Sequence, residues 1–349
     1  MTSASFDAIP VVDLAGSPHE LPHHLVATCH DVGFAVLANH GVDPVVIDDV
    51  FAFMERFFAL PDEHKARIDK RRSPQLRGWE SVGSEFTNNR VDVREQIDVW
   101  SEWPLATESR KPAWNRLLGP NQWMPDEILP AHRDVTLRWM DALGALAERV
   151  LSLLAIGLGL DATHFSDRFG PQPMSLTKMI HYPPTPTGGA GVNAHHDTGF
   201  VTLLAPGPTA GLQVRNPLGE WIDVPSIPDT LVVNLGEMLQ AMTGNYLAAT
   251  AHRVIAEHER LSAAFFHGPS LDTALTPIDL APSFRAAVEA SERHRDAGFM
   301  ATAAEADLAA ADMSAELRAT TYGEQLWNYF TRSYPDNMAA HHSDLVTSD

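Results

Sequence analysis

A histidine and a carboxylate two positions apart can grip one metal ion when both side chains leave the backbone in the same direction. The triplet His195-His196-Asp197, within "GGAGVNAHHDTGFVTLLAP" (188–206), has that spacing. So do His132-Arg133-Asp134, His294-Arg295-Asp296 and His342-Ser343-Asp344, as chance allows in a chain with 17 histidines and 45 acidic residues. On a strand, residues i and i+2 share a face. On a helix they diverge by about 200°. His132 opens a long helical pattern, His294 falls in an Ala-rich helical stretch, and His342 lies in a polar tail with no predicted element. Only His195 and Asp197 lead directly into a β run, "GFVTLL".

A third ligand would complete a facial set of two histidines and one carboxylate, the arrangement of non-haem Fe(II) oxygenases. His252 in "TAHRVIAEHERLSAAFF" is the candidate, at mid-strand; His258, in the polar turn "AEHE", is expected to face solvent. If the two runs pair as a hairpin about Ala256, Arg260 lies opposite His252, and Ser262 shares its face. An arginine in an apolar strand needs a partner. A planar guanidinium beside a hydroxyl suits two-point capture of a carboxylate. The alternative is an internal Glu or Asp that pairs with Arg260 structurally.

These residues need elements to position them. The first 65 residues predict a strand (9–14), a helix (19–30), a strand (33–39) and a helix (44–58). Residues 70–100 are polar and read as loop. A helical pattern runs from about 126 to 160. After Pro173 the texture changes to short β runs, "SLTKMIHY", "FVTLLA", "GLQVR", "WIDV", "TLVVNL", "ATAHRVIA" and "RLSAAFFH", separated by turn residues. That spacing predicts a sandwich or small barrel. An Ala-rich acidic stretch (about 282–320) reads as two helices joined near Gly298, and "YGEQLWNYFTRSY" as a last helix before a polar tail. The expected fold is mainly β with flanking helices around an antiparallel sandwich.

Composition limits the partners. The chain has 349 residues, is 44% hydrophobic and 20% charged, and carries a formal net charge of −20. That balance argues against nucleic acid and anionic membranes, which require a basic face. No apolar run reaches the length of a bilayer span. The N-terminus lacks a signal-peptide pattern, so a cytoplasmic protein is expected. Cys29 is the only cysteine, which excludes an internal disulfide framework, and its apolar surroundings predict a buried thiol.

The chain resembles the Fe(II)/2-oxoglutarate-dependent oxygenases, in the branch that includes isopenicillin N synthase, almost end to end. "IPVVDLAG", "GFAVLANHGV" and "FFALPDEHK" are similar to its leader region, and "RGWE" and "GPNQWMP" to two further landmarks. "HYPPTP", "AHHDTGFVTLL", "GLQVR", "WIDVPSIPDTLVVNLGEMLQAMTG", "HRV" and "RLSAAFF" follow its core in order. "TYGEQLWNYFTRSYP" resembles its final helix. "GVNAHHDTGFVTLL", "MLQAMTGNYLAATAHRV" and "AAFFHGP" look closest to bacterial members, including the ethylene-forming enzyme.

The resemblance implies a double-stranded β-helix (jelly roll) core and Fe(II), 2-oxoglutarate and O2 as cofactor and co-substrates. By position it implies His195, Asp197 and His252 as iron ligands. Arg260 and Ser262 would grip the distal carboxylate of 2-oxoglutarate, and Tyr182 would donate to it. It implies oxidation of a small molecule, by default hydroxylation, with release of succinate and CO2. Lys178, Arg94, Glu85 and Phe266 are the candidates to line the substrate pocket. His196 stands where the family usually has threonine, and on a strand it would point away from the metal. Expected boundaries within one integrated domain are 1–120 (N-terminal region), 121–172 (supporting helix), 173–270 (jelly-roll core), 271–320 (helical insert, a lid over the mouth) and 321–349 (final helix and tail). A monomer or weak homo-oligomer is expected.

Three other readings compete with it. They are an iron oxidase or cyclase of the same branch that does not use 2-oxoglutarate, ethylene-forming fragmentation of 2-oxoglutarate, and a non-catalytic jelly-roll binding module. A zinc hydrolase would need a general-base glutamate in a His-Glu-x-x-His helix, and none of His195, Asp197 and His252 belongs to such a string.

Overall fold

The computed structural model describes residues 5–87, 90–105, 112–185, 189–295 and 320–343. The amino-terminal elements follow the predicted order: β1 (Val11–Asp13), α1 (Leu21–Asp31), β2 (Phe34–Ala38) and α2 (Pro44–Phe58). The short α3 (Asp62–Lys65) comes in addition to them. Asp43 caps α2 by accepting the Val45 N–H at 3.0 Å, and Pro44 sits where no donor is needed.

The stretch 70–100 corrects the expectation of a loop. It holds β3 (Gly78–Glu80), β4 (Phe86–Thr87), β5 (Arg90–Val91) and β6 (Glu95–Trp100), and every residue of β6 is buried. Its charges look solvated in sequence because their counter-ions are distant in the chain. Glu95 meets Lys65, and Asp98 meets Lys70 and Lys178.

The long helix α4 (His132–Gly157) buries Trp139, Leu143, Leu146, Val150 and Leu154, a stripe at helical spacing. It packs on α1, α2 and the sheet beneath. After α5 (His164–Phe169) come the core strands: β7 (Leu176–Tyr182), β8 (Ala190–His195), β9 (Val201–Ala205), β10 (Leu212–Arg215), β11 (Trp221–Asp223), β12 (Leu231–Leu235), β13 (His252–Ile255) and β14 (Arg260–His267). A short helix, α6 (Glu237–Met242), follows β12.

Two sheets face each other. The larger runs β1-β2-β12-β9-β14-β7-β6-β3 and the smaller β11-β10-β13-β8. Side chains alternate between two apolar layers. Met179, Leu203, Val233 and Phe265 pack under α4, whereas Ile180, Tyr182, Val192, Val214, Val232 and Val254 fill the space between the sheets. The fold is a mainly β jelly roll with flanking helices.

The hairpin expected about Ala256 does not form. β13 pairs with β8 and β10 in the small sheet, and β14 pairs with β7 and β9 in the large one. The segment Glu257–Glu259, exposed in all three residues, crosses between the sheets. Arg260 therefore lies opposite Tyr182, not His252. The tail also departs from expectation. Past the helix Tyr322–Ser333 a further helix, Pro335–His341, brings His342 into a buried position where Nε2 meets the Pro74 carbonyl at 2.8 Å.

Of the insert, α7 (Pro282–Ala290) and α8 (Glu292–Arg295) are described. His294 of α8 stacks on His30 at 4.0 Å, and His30 stacks on Tyr246 at 4.3 Å, so this part is tied to α1. The second predicted helix of the insert, with Gly298, lies outside the described residues.

Candidate active site

Among the described residues, the only cluster of histidines and carboxylates fit for a metal is His195, Asp197 and His252, with one donor atom from each lying within 4.8 Å of the others. The folding of the small sheet explains it. His195 ends β8 and pairs directly with His252 on β13, so both rings face one space at a centroid separation of 4.3 Å. Asp197 follows β8 rather than sharing the strand, and its Oδ1 lies 3.6 Å from each histidine Nε2.

The surrounding bonds leave one donor atom free on each ligand. His195 Nδ1 meets the Asn193 carbonyl at 2.9 Å, and His252 Nδ1 meets the Thr250 carbonyl at 3.1 Å. A carbonyl only accepts, so in each ring the proton sits on Nδ1 and the lone pair on Nε2. Burial, reinforced by the neighbouring His252, pushes the His195 pKa down to about 3, which keeps its ring neutral near pH 7. Asp197 Oδ2 accepts from Thr202 Oγ1 at 2.6 Å and Asn234 Nδ2 at 2.7 Å, which leaves Oδ1 for the metal. Burial opposes ionisation of Asp197, but its polar surroundings, these two donors among them, outweigh it and hold its pKa below the usual value. Two imidazoles that turn Nε2 toward one space and a carboxylate with oriented second partners suit a divalent cation.

The other His-x-Asp histidines are structural. His132 is buried, accepts the Met124 N–H at 3.0 Å, stacks on Phe53, and is pushed down to about 3 by burial. His294 and His342 each contact a main-chain carbonyl. His196 is half-buried beside the ligands, and burial lowers its pKa to about 4. His258 is exposed, and Cys29 is buried with its thiol pushed up to about 12.

On the large sheet, Arg260, Ser262, Ala264 and Phe266 share one face of β14 with Tyr182, Ile180, Lys178 and Leu176 opposite them on β7. Arg260 is 2% exposed. Its Nε donates to the Thr209 carbonyl at 3.2 Å, and its guanidinium lies 5.0 Å from the Tyr182 ring centre. Its Nη1 is buried with no hydrogen-bond partner among the described residues. Among the described residues no carboxylate pairs with it, as the structural alternative for Arg260 would require. Ser262 Oγ donates to Tyr182 Oη at 3.5 Å, placing two hydroxyls on that same face. An unpaired buried guanidinium beside two hydroxyls fits a carboxylate ligand.

The four substrate candidates fall on or beside this inner face. Phe266 pairs with Thr202, whose hydroxyl holds Asp197. Lys178, Glu85 and Arg94 belong to a buried ionic chain. Arg94 Nη2 lies 2.9 Å from Glu85 and 3.1 Å from Asp92; Lys178 Nζ lies 3.3 Å from Glu85 and 3.2 Å from Asp98; Lys70 Nζ lies 2.6 Å from Asp98 and from Glu80. Burial opposes the Lys70 charge, but Asp98, Glu80 and Glu85 outweigh it and raise its pKa. Lys70→Met leaves two buried carboxylates without their shared ammonium. It is expected to cost about 3–5 kcal/mol, read as a lower urea midpoint, while Arg72→Met at the exposed neighbouring position changes little. Equal midpoints would show that the chain of ion pairs does not stabilise the fold.

Sequence reading missed Thr202, Asn234 and Asn193, which orient the ligands. Thr202 and Asn234 carry a signal: each is a polar residue inside an apolar strand ("FVTLLA", "TLVVNL"), and such a residue must find a buried partner. Asn193 and Asp92, 101 positions apart, carry none.

Residues 9–126 match the family described as the non-haem dioxygenase in morphine synthesis N-terminal region, and residues 173–269 match the 2OG-Fe(II) oxygenase superfamily. A 2-oxoglutarate-dependent dioxygenase of Dothideomycetidae sp. (strain 11243) is 34% identical over 84% of this chain and 83% of its own length. A homoarginine-6-hydroxylase of Glycine max is 28% identical over 79% of this chain and 90% of its own. Among solved structures, a Neurospora crassa protein in complex with alpha-KG and thymine superposes with a TM-score of 0.68 at 25% identity, covering 81% of this chain and 94% of that one. The JOX2 complex with 2OG, Fe and JA gives 0.65 at 27% identity, with 78% of each chain covered. The chain belongs to the 2OG-Fe(II) oxygenase superfamily: it is a 2-oxoglutarate-dependent dioxygenase whose cofactor and co-substrate are Fe(II) and 2-oxoglutarate.

Proposed function

We propose that His195, Asp197 and His252 hold the Fe(II), that Arg260, Ser262 and Tyr182 receive the distal carboxylate of 2-oxoglutarate, and that the enzyme hydroxylates a small molecule. The observation that carries this reading is the pairing of a three-donor cluster, each donor oriented by a second bond, with a buried guanidinium whose Nη1 has no partner among the described residues. Bound together, Fe(II), 2-oxoglutarate and O2 supply the oxidising equivalent that places one oxygen atom in a substrate C–H bond while 2-oxoglutarate becomes succinate and CO2. The chain's own residues bind and orient. Thr202 and Asn234 fix which carboxylate oxygen of Asp197 faces the metal. Arg260 neutralises the far end of 2-oxoglutarate, and the apolar layer around Ile180, Val214 and Val232 keeps water from that pair.

Lys178, Arg94, Glu85 and Phe266 are assigned to the substrate side of the same face, where both charge signs and an aromatic ring are available to orient a polar small molecule. The test is anaerobic reconstitution with Fe(II) and 2-oxoglutarate, then O2 with a panel of cationic amino acids, pyrimidines and carboxylated small molecules. Succinate and oxidised substrate should appear in equal amounts, and only with iron. Succinate formed equally without iron would overturn the reading.

We also place the chain in the isopenicillin N synthase-like branch, on the ordered landmarks from "IPVVDLAG" to "TYGEQLWNYFTRSYP". Its likeness to bacterial members and to the ethylene-forming enzyme rests on "GVNAHHDTGFVTLL" and "AAFFHGP" alone, and a headspace assay for ethylene tests it. A cytoplasmic monomer or weak homo-oligomer without nucleic-acid or membrane partners fits the net charge of −20. No described helix is long and apolar enough to cross a membrane. We treat the segments from 1–120 to 321–349 as one unit, because β1, β2, β3 and β6 extend the sheet that carries β14.

A further inference from the structure

The two ligand histidines are oriented in the same way, each by the carbonyl two residues before it, but those carbonyls are held differently. On the His252 side, Thr250 spends its hydroxyl on the Val32 carbonyl at 2.6 Å. On the His195 side, Asn193 is clamped by a carboxylate from a segment 101 residues earlier. Asp92 is 0% exposed. Its Oδ1 accepts the Asn193 main-chain N–H at 3.0 Å and the Asn193 Nδ2 at 2.8 Å. Its Oδ2 accepts Thr87 Oγ1 at 2.6 Å and lies 3.1 Å from Arg94 Nη2. Asn193 Nδ2 also reaches the Val91 carbonyl at 3.2 Å. Arg94 then continues through Glu85 to Lys178.

We propose that Asp92 is a positioning residue for the metal site, fixing through Asn193 the carbonyl that orients His195 and coupling that ligand to the Arg94–Glu85–Lys178 chain. All four groups around Asp92 are donors, so the site requires an acceptor on both oxygens. A carboxylate supplies this and a carboxamide does not. A ligand histidine whose partner carbonyl drifts loses its ring orientation and its preferred tautomer, and outer partners of this kind typically contribute about 10- to 100-fold to metal affinity. Among the described residues Thr250, on the His252 side, bonds Val32, Arg293 and His252 itself, with no carboxylate, so the effect is specific to one side of the metal. The inference rests on the assignment of His195 as a ligand.

Anaerobic titration with Co(II), which reports through its own visible absorption, tests the proposal without turnover. Asp92→Asn is expected to bind Co(II) about 10- to 100-fold more weakly and to change the band shape, since a reoriented imidazole alters the ligand field. Asn193→Ala keeps the main-chain bond and loses the Nδ2 bonds, and should shift affinity in the same direction by a smaller factor. Thr87→Val, which removes a bond to Asp92 without touching Asn193, should stay within about twofold of wild type on the same physical ground. Unchanged Co(II) affinity in folded Asp92→Asn overturns the proposal. If that variant does not fold, unchanged affinity and spectrum in Asn193→Ala overturn it instead. His195→Ala separates the two levels: if it binds Co(II) as wild type does, the ligand assignment itself has failed. If it loses Co(II) while Asp92→Asn and Asn193→Ala do not, only the positioning role has.

Discussion

Replacing His195, Asp197 or His252 by alanine, one at a time, is expected to reduce Fe(II)-dependent succinate formation to background and to weaken metal binding by more than about 100-fold. The bound is physical, because loss of an outer partner alone costs about 10- to 100-fold, and loss of a donor atom must exceed that. The three changes should be equivalent, since each donor lies within 4.8 Å of the others and, among the described residues, no further His, Cys, Asp or Glu belongs to the group. His196 is the obvious candidate to compensate, and His196→Ala should retain metal binding. Alanine at His132, His294 or His342 should leave metal affinity alone. His132→Ala should instead lower stability, because it removes a ring stacked at 4.7 Å on Phe53 and the acceptor for the Met124 N–H. Wild-type turnover in Asp197→Ala, measured with metal content determined on the same sample, would sink the site assignment.

The second large effect is expected at Arg260, and it has two signs. Arg260→Met should raise the 2-oxoglutarate requirement by about 30- to several-thousand-fold, the equivalent of the roughly 2–5 kcal/mol lost when one partner of a buried charge pair is removed. Metal affinity without 2-oxoglutarate should change little. The stability of the co-substrate-free protein should hold or rise, because the guanidinium is buried, its pKa is lowered by that burial, and its Nη1 has no partner among the described residues. A charge kept in that state costs stability until a carboxylate arrives. Thermal melts with and without 2-oxoglutarate therefore separate the variants. Wild type should gain a clear upward shift on adding 2-oxoglutarate, and Arg260→Met should gain little. An equal ligand-induced shift in both would place the carboxylate anchor elsewhere.

The sequence by itself determined the local part of this protein. α2 begins at Pro44 and ends at Phe58 in both the pattern and the structure, because a capping Asp43, a proline at the first turn and an apolar stripe act within a few residues. The alternation of the core strands was legible for the same reason, and the helical period pointed away from His132 and His294, which do lie on helices. The premise that His195 and Asp197 share a strand face did not carry over, because Asp197 lies past the end of β8. What only the tertiary structure decided was long-range pairing. The run from His252 to Arg260 reads as a hairpin, yet β13 and β14 belong to opposite sheets, each paired within its own sheet to strands distant in sequence, β8 and β10 for β13 and β7 and β9 for β14. The charges of 70–100 read as loop because nothing local reveals that Lys65, Lys70 and Lys178 will neutralise them in the interior. Asp92 and Asn193 are two unremarkable polar residues 101 positions apart, and the chain brings them together only when β5 and β8 are seated side by side. Periodicity is written in the order of residues, but counter-ions and cross-sheet partners are fixed by which surfaces must be buried together, and that is settled only when the whole chain packs.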